Sequence, residues 1–345
     1  MTAWRVQPPT ALAYFSSLVD DDPGISLLEA AIALAARQLA EPSFPEAVWQ
    51  IERERWLASW RESNTKPNVQ ASRAFTRAVY GSHPYGQEVD EISLKAMDTE
   101  AMKAFHATHL RPCRAKVSIV GALTREQASA KAQQLLQGLP AGVSCELLPW
   151  VQEVQPLAQA QRIDVPFESA QAHVFMGQPG IARLHPDFMA LTVGNYVLGG
   201  GGFVSRLTEQ VREKRGLSYS IYSYFAPGQH AGAFTVGLQT RPDQAGQAVE
   251  VAFDVVSEFV AKGPTEAELQ AAKDFLIGGF ALRLDSNRKP MDNLSNIAWF
   301  DLPLDYLDTW TQQVSLLTVN DIQQAFARNL QPNRMVTVVL GASKP

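Results

Sequence analysis

Apolar positions fall three and four residues apart through FPEAVWQIERERWLASW and again through TEAELQAAKDFLIGGF, which predicts two long amphipathic helices. Each opens after a Pro- or Gly-containing turn, at Pro45-Glu46-Ala47 and at Thr265-Glu266-Ala267, and each is followed by a polar loop (SNTKPN; DSNRKP) and more helical patterning. Shorter helices follow in TEAMKAFHATHL and VNDIQQAFARNL. The period drops to two in SYSIYSYF and AFTVGLQT, the signature of a half-buried strand, and the GQHAG stretch between them predicts a hairpin.

These patterns form a repeat. Leu110, Pro112, Arg114, Gly121 and Ala122 align without a gap on Leu330, Pro332, Arg334, Gly341 and Ala342, a shift of 220 residues that also superposes the openings of the long helices. Each copy therefore predicts a long helix, a loop, further helices and a strand ending in Gly-Ala. The second copy is preceded by strands in AQRIDVPF and AQAHVFMGQPG, helices in HPDFMALTVGNYVLGG and SRLTEQVREKR, and the hairpin. The first has only a short stretch ahead of Leu27, so its leading strands are largely missing. The expected architecture is α+β: two homologous half-domains of mostly antiparallel sheet with packed helices, residues 1–148 incomplete and 155–345 whole. A linker is expected near residues 141–160, where Gly, Pro and Gln interrupt the periodicity.

Composition narrows the partners. The 345 residues carry 30 basic and 35 acidic side chains, net charge −5, with no basic block to follow a phosphate backbone, so nucleic acid is not an expected partner. The longest apolar run, residues 30–36, is far short of the ~18–20 needed for a membrane span. The opening MTAWRVQPPTALAYFSS lacks the basic and apolar regions of a signal peptide. Cys113 and Cys145 have no metal-ligand spacing and can pair only in an oxidising compartment.

Few residues suggest chemistry. Gly199-Gly200-Gly201-Gly202 follows a helix rather than a strand and has no Gly-Lys-Ser/Thr ending, so it reads as a helix-to-helix loop rather than a phosphate site. His106 and His109 share a helix face but lack a third ligand and an activating carboxylate; His83 in GSHPYG reads as a turn residue. No Gly-x-Ser-x-Gly elbow is present, and Glu52, Glu54 and Glu62 interleave with Arg53, Arg55 and Arg61 as on a solvated helix. Arg212 and Tyr219 remain, at a helix-to-strand junction. An Arg fork and a phenol can stabilise a carbonyl oxygen as it becomes negative; equally, Arg212 can end its helix while Tyr219 belongs to the alternation of a strand.

The run Leu198 to Tyr219, with Ser205-Arg206-Leu207, Arg212-Glu213-Lys214 and Gly216-Leu217-x-Tyr219 in order, resembles the C-terminal half of pitrilysin/insulinase-type zinc peptidases, the branch containing the mitochondrial processing peptidase. FPEAVWQIERERWLASW and Ala78 to Gly86 resemble the latter part of that family's N-terminal half, so the likeness covers nearly the whole chain. It implies two similar halves enclosing a chamber, with Arg212 and Tyr219 matching the family's Arg/Tyr pair. The zinc-binding HxxEH is absent, and Ser59-Trp60-Arg61 stands where the family's third ligand, a Glu, is expected. The resemblance thus implies a chain without metal or cofactor, paired with an HxxEH-bearing homologue that supplies zinc and acting on peptide or unfolded polypeptide. Bacterial two-chain members point to the periplasm rather than the cytoplasm. Gly199–Gly202 resembles the position of the processing peptidase's glycine-rich loop, which implies substrate contact. A catalytically inactive scaffold of the same fold is the alternative.

Overall fold

The computed structural model describes residues 27–140, 149–286 and 288–342. In the first half these form α1 (Leu27–Ala40), α2 (Glu46–Ser63), α3 (Pro67–Tyr80), α4 (Glu91–Ala96), α5 (Thr99–His109) and α6 (Arg125–Leu136). The second half contains β1 (Gln161–Val165), β2 (Ala172–Pro179), α7 (Phe188–Asn195), β3 (Ser220–Phe225), β4 (Ala233–Thr240), α8 (Ala245–Lys262), α9 (Glu266–Gly278), α10 (Arg288–Phe300), α11 (Tyr306–Leu316), α12 (Val319–Asn329) and β5 (Val336–Leu340). The 220-residue shift carries α8 onto α1, α9 onto α2, α10 onto α3 and α12 onto α5. The last pair starts with side-chain caps on the same backbone position: Asp98 accepts from the Ala101 N–H and Thr318 from that of Asp321.

All strands of the described residues lie in the second half, in one sheet of order β1-β5-β2-β4-β3. The pairs β5-β2, β2-β4 and β4-β3 are antiparallel and β1-β5 is parallel, so the sheet is mostly antiparallel as expected. The two opening strands are not neighbours, because β5 from the chain end inserts between them. The strand expected before Gly121-Ala122 is not formed: residues 115–120 belong to no ladder, since the strands that flank β5 have no counterpart among the described residues. Part of the expected linker, 141–148, and Cys145 lie outside the described residues; 149–160 are irregular.

Strand β2 is buried along almost its whole length on both faces, so the sheet needs cover on both sides. One face, with Val174, Met176, Phe234, Val236 and Leu238, packs in a core with α7, α8 and α12. The other is covered by the first half: Ala71, Phe75 and Val79 of α3 lie in a cluster with Ala233, Val336, Val338 and Leu340. Burying each large apolar side chain there contributes about 1.5–3 kcal/mol. This makes the boundary between the halves part of a core rather than a hinge.

The joint has a polar corner. The Ala233 N–H donates to the Tyr80 hydroxyl (2.8 Å), the His230 N–H to the Tyr85 hydroxyl (3.2 Å), and the Ala231 N–H to Glu153 (2.7 Å). His83 is buried there with its ring centroid 5.3 Å from that of His230. It is indeed a turn residue, since its Nδ1 accepts the Tyr85 N–H (3.1 Å), but the turn sits inside the joint. Burial, then the neighbouring His230, push its pKa below 6.5, against the opposing pull of Glu153. A depressed histidine binds its proton less readily folded than unfolded, so stability should fall as pH drops below about 6.5 and be level above it. His83→Phe, neutral at every pH, should flatten that dependence in chemical denaturation between pH 5 and 8; an unchanged slope contradicts the assignment.

Candidate functional site

The chain enters the candidate site through a rigid turn. A π-helical segment, Thr208–Glu213, carries Arg212 and ends where the Gly216 N–H bonds the Arg212 carbonyl (2.9 Å) and the Leu217 N–H that of Val211 (3.0 Å). Gly216 takes a left-handed φ of 61°, which glycine adopts without strain. Buried Ser218 then donates to the carbonyls of Ser220 (2.6 Å) and Gln239 (2.7 Å) and accepts from the Ser220 N–H (3.1 Å). Between these fixed residues Tyr219 projects outward, 86% exposed. Sequence reading overlooked Ser218, whose bond to Gln239 is visible only once β3 and β4 are paired.

Arg212 lies with its guanidinium 4.7 Å from the Phe203 ring centroid and 3.4 Å from the Glu213 carboxylate. Among the described residues no hydrogen bond joins it to Tyr219. Phe203 and Val204 project from the end of the glycine run at 73% and 74% exposure. Beyond Tyr219, Tyr222 and Tyr224 stack on one face of β3 (centroids 5.9 Å, 24° between planes), the face shared with α3. Tyr222 lies over Gly237, where a Cβ would sit 2.6 Å from its ring, and burial raises its phenol pKa. Strand β3 is the outer strand of the sheet, so one edge of its backbone is unpaired within the sheet.

The tetraglycine is a packed turn. A Cβ on Gly199 would stand 2.3 Å from Ser223 Oγ, and Asn195 holds the same strand by donating to the Ser223 carbonyl (2.9 Å) and accepting from its hydroxyl (2.7 Å). Gly201 closes on Tyr196, its N–H donating to that carbonyl (2.8 Å). Arg206 of the Ser-Arg-Leu motif is likewise engaged, by a two-pronged bond to Glu268 at 2.7 and 2.6 Å. Burial pushes the Glu268 carboxyl up, but Arg206 and Thr265 together hold it at about 2.

The position expected for the third zinc ligand is engaged in other contacts. At the expected third-ligand position Trp60 donates to the Val89 carbonyl (3.0 Å) and Arg61 pairs with Glu91 (2.6 Å). His106 Nε2 bonds the Leu39 carbonyl (2.7 Å) and His109 faces Arg114 (3.4 Å). Among the described residues no three His, Cys, Asp or Glu side chains converge as metal ligands. Two surface hollows, about 370 Å³ near Phe275 and about 410 Å³ near Phe253, include neither Arg212 nor Tyr219. Tyr219 sits on open surface, and Arg212 is half-buried beside Phe203.

A peptidase-like α+β chain with an Arg/Tyr helix-to-strand junction is the class these features define. Residues 96–276 match the peptidase M16 inactive domain, and the chain belongs to that family. A solved peptidase M16 inactive domain from Pseudomonas fluorescens is 33% identical with a TM-score of 0.86, covering 92% of this chain and 75% of that one. An uncharacterized zinc protease of Mycobacterium leprae is 26% identical, covering 95% of this chain and 73% of its own. A non-peptidase homolog of Helicobacter pylori is 25% identical, covering 91% and 72%.

Two substitutions test the packing. Gly199→Ala should cost about 1–3 kcal/mol or prevent folding, because Ser223 belongs to the sheet and cannot move freely. Arg206→Ala should cost roughly 1–3 kcal/mol at neutral pH. Because Glu268 is depressed from 4.5, the pair's contribution is present above pH 4.5 and lost as pH falls toward 2, so the difference between wild type and variant should shrink over that interval in urea titrations.

Proposed function

We propose that this chain is the zinc-free subunit of a heterodimeric M16-type peptidase, presenting Arg212 and Tyr219 to a peptide held at the zinc of an HxxEH-bearing partner. The observation that carries the reading is the presentation of Tyr219: a side chain with no hydrogen bond among the described residues, on a turn fixed by Gly216 and Ser218. A tyrosine serving the core would bury its ring and bond its hydroxyl. Here the phenol is free to donate to a peptide carbonyl as negative charge develops on its oxygen, and Arg212 adds permanent positive charge close by in the chain.

Peptide or unfolded polypeptide is the substrate class that fits. The open edge of β3 can add an extended chain by backbone hydrogen bonds, with Tyr222 and Tyr224 beside it for side-chain contact. At the Gly199–Gly202 turn Gly199 is buried against Ser223, while exposed Gly200 and Gly202, with Phe203 and Val204, are open to contact. No helix among the described residues is long and apolar enough to cross a membrane.

A catalytically inactive scaffold is the second reading, favoured by the cover that Phe203 and Glu213 give Arg212. Peptide hydrolysis by the zinc-bearing homologue from the same source, with and without this chain, separates the two. The composite-site reading expects activity to require this chain and to fall about 10²-fold in kcat with Arg212→Ala or Tyr219→Phe, the loss that removing an oxyanion donor causes. The scaffold reading expects both variants to match wild type.

A further inference from the structure

Arg183, Arg206 and Arg212 are held in three different ways. Arg206 gives two guanidinium donors to Glu268 at 2.7 and 2.6 Å, and Arg183 donates to the Tyr306 hydroxyl (2.8 Å) while lying 3.7 Å from the Phe188 ring centroid. Arg212 is half-buried, yet its guanidinium makes no hydrogen bond with any described residue. Among those residues its contacts are the Phe203 ring at 4.7 Å and the Glu213 carboxylate at 3.4 Å.

What an arginine can still donate depends on how it is held. A two-pronged carboxylate uses up the N–H groups that it orients, whereas an aromatic ring attracts the cation through its quadrupole and takes none of the in-plane donors. A ring is therefore the partner that restrains a guanidinium and leaves its donors to another acceptor. Restraint before binding also removes part of the rotamer freedom that a long side chain would otherwise lose on meeting a ligand.

Phe203 is placed for that task. It is 73% exposed and makes no ring contact with another aromatic side chain among the described residues, so the core does not hold it. Its backbone is nevertheless fixed on both sides. Upstream, Gly199 fits so closely on Ser223 that a Cβ would stand 2.3 Å from its hydroxyl, the Gly201 N–H donates to the Tyr196 carbonyl (2.8 Å), and Gly202 turns at a left-handed φ of 61°. Downstream, Ser205 is fully buried, and its N–H and hydroxyl both donate to the Gly202 carbonyl (3.1 and 2.8 Å). An exposed ring on so constrained a turn keeps one position, and that position is against Arg212.

We infer that Phe203 is a positioning residue for Arg212: its ring holds the guanidinium by a cation–π contact with the N–H groups left free for the peptide carbonyl, and the Gly199–Gly202 turn sets the ring in place. The inference rests on the composite-site reading above.

Fluorination tests it, because fluorine drains the negative face of the ring and alters its shape little. Phenylalanine and its mono-, tri- and pentafluoro forms at position 203 of the full chain are assayed with the zinc-bearing homologue from the same source on one peptide. Across the series kcat should fall stepwise, by about tenfold in all, with KM and the thermal midpoint unchanged, and Arg212→Ala should abolish the trend. Phe203→Trp should keep its activity, while Phe203→Leu, apolar but without a π face, should lose as much as the pentafluoro form. The isolated chain gives a readout that needs no partner: the Arg212 Hδ resonances should lie upfield in the ring current of Phe203 and return downfield in Phe203→Leu, and resonances that do not move overturn the contact. A flat fluorination series beside an impaired Arg212→Ala overturns the role of Phe203 and leaves the composite site standing. A series that changes KM instead makes Phe203 a substrate contact and overturns the inference equally. Full activity of Arg212→Ala removes the composite site, and the inference with it.

Discussion

The sheet of the second half cannot be covered by the second half alone. Its β2 and β5 are apolar on both faces, and α3 of the first half is what lies on the side away from α8 and α12, with Phe75 and Val79 against Val336, Val338 and Leu340. Much else depends on that contact. It fixes the two halves relative to one another, brings the Tyr80–Tyr85 corner onto the β3–β4 hairpin, and leaves uncovered the part of the sheet face where Tyr222 and Tyr224 stack.

The candidate site inherits its rigidity from this arrangement. Tyr219 is held by bonds that run back to β4 through Ser218, and β4 is in turn paired with the strand that α3 covers. The glycine run is fixed to the same strand system through Ser223 and Asn195, and Arg206 ties the neighbouring helix to the start of α9. What is exposed on this frame is a small set of aromatic and apolar groups, Phe203, Val204, Tyr219, Tyr222 and Tyr224, with Arg212 behind Phe203. A fixed frame with an open aromatic surface suits groups that must meet a substrate in one geometry.

Helices and the repeat were legible in the sequence because both are local patterns. TEAMKAFHATHL and VNDIQQAFARNL become helices over nearly those bounds, and the shared shift returns in four pairs of helices. The hairpin also follows from short-range alternation, whereas the outward position of Tyr219 does not: it has the parity of the buried Ile221 and Ser223 and is exposed because it precedes β3 on the Gly216–Ser218 turn. Strand order was not legible: nothing in β1, β2 or their spacing announces that β5 will enter between them, and residues 116–120 read as a strand because a ladder depends on partners, not on composition. Arg206–Glu268, Ser218–Gln239 and the fit of Gly199 against Ser223 join residues far apart in sequence, so their motifs show that they matter without showing what they touch.

The most direct measurement of the central claim is proximity at Tyr219. Replacing it with the photoreactive p-benzoylphenylalanine, in the presence of the zinc-bearing homologue and a non-cleavable peptide, should yield a covalent link from position 219 to the peptide on irradiation. The same residue at exposed Leu304, between α10 and α11, should give none. A link from Tyr219 to peptide supports a composite site; its absence, while the two chains still associate, contradicts it.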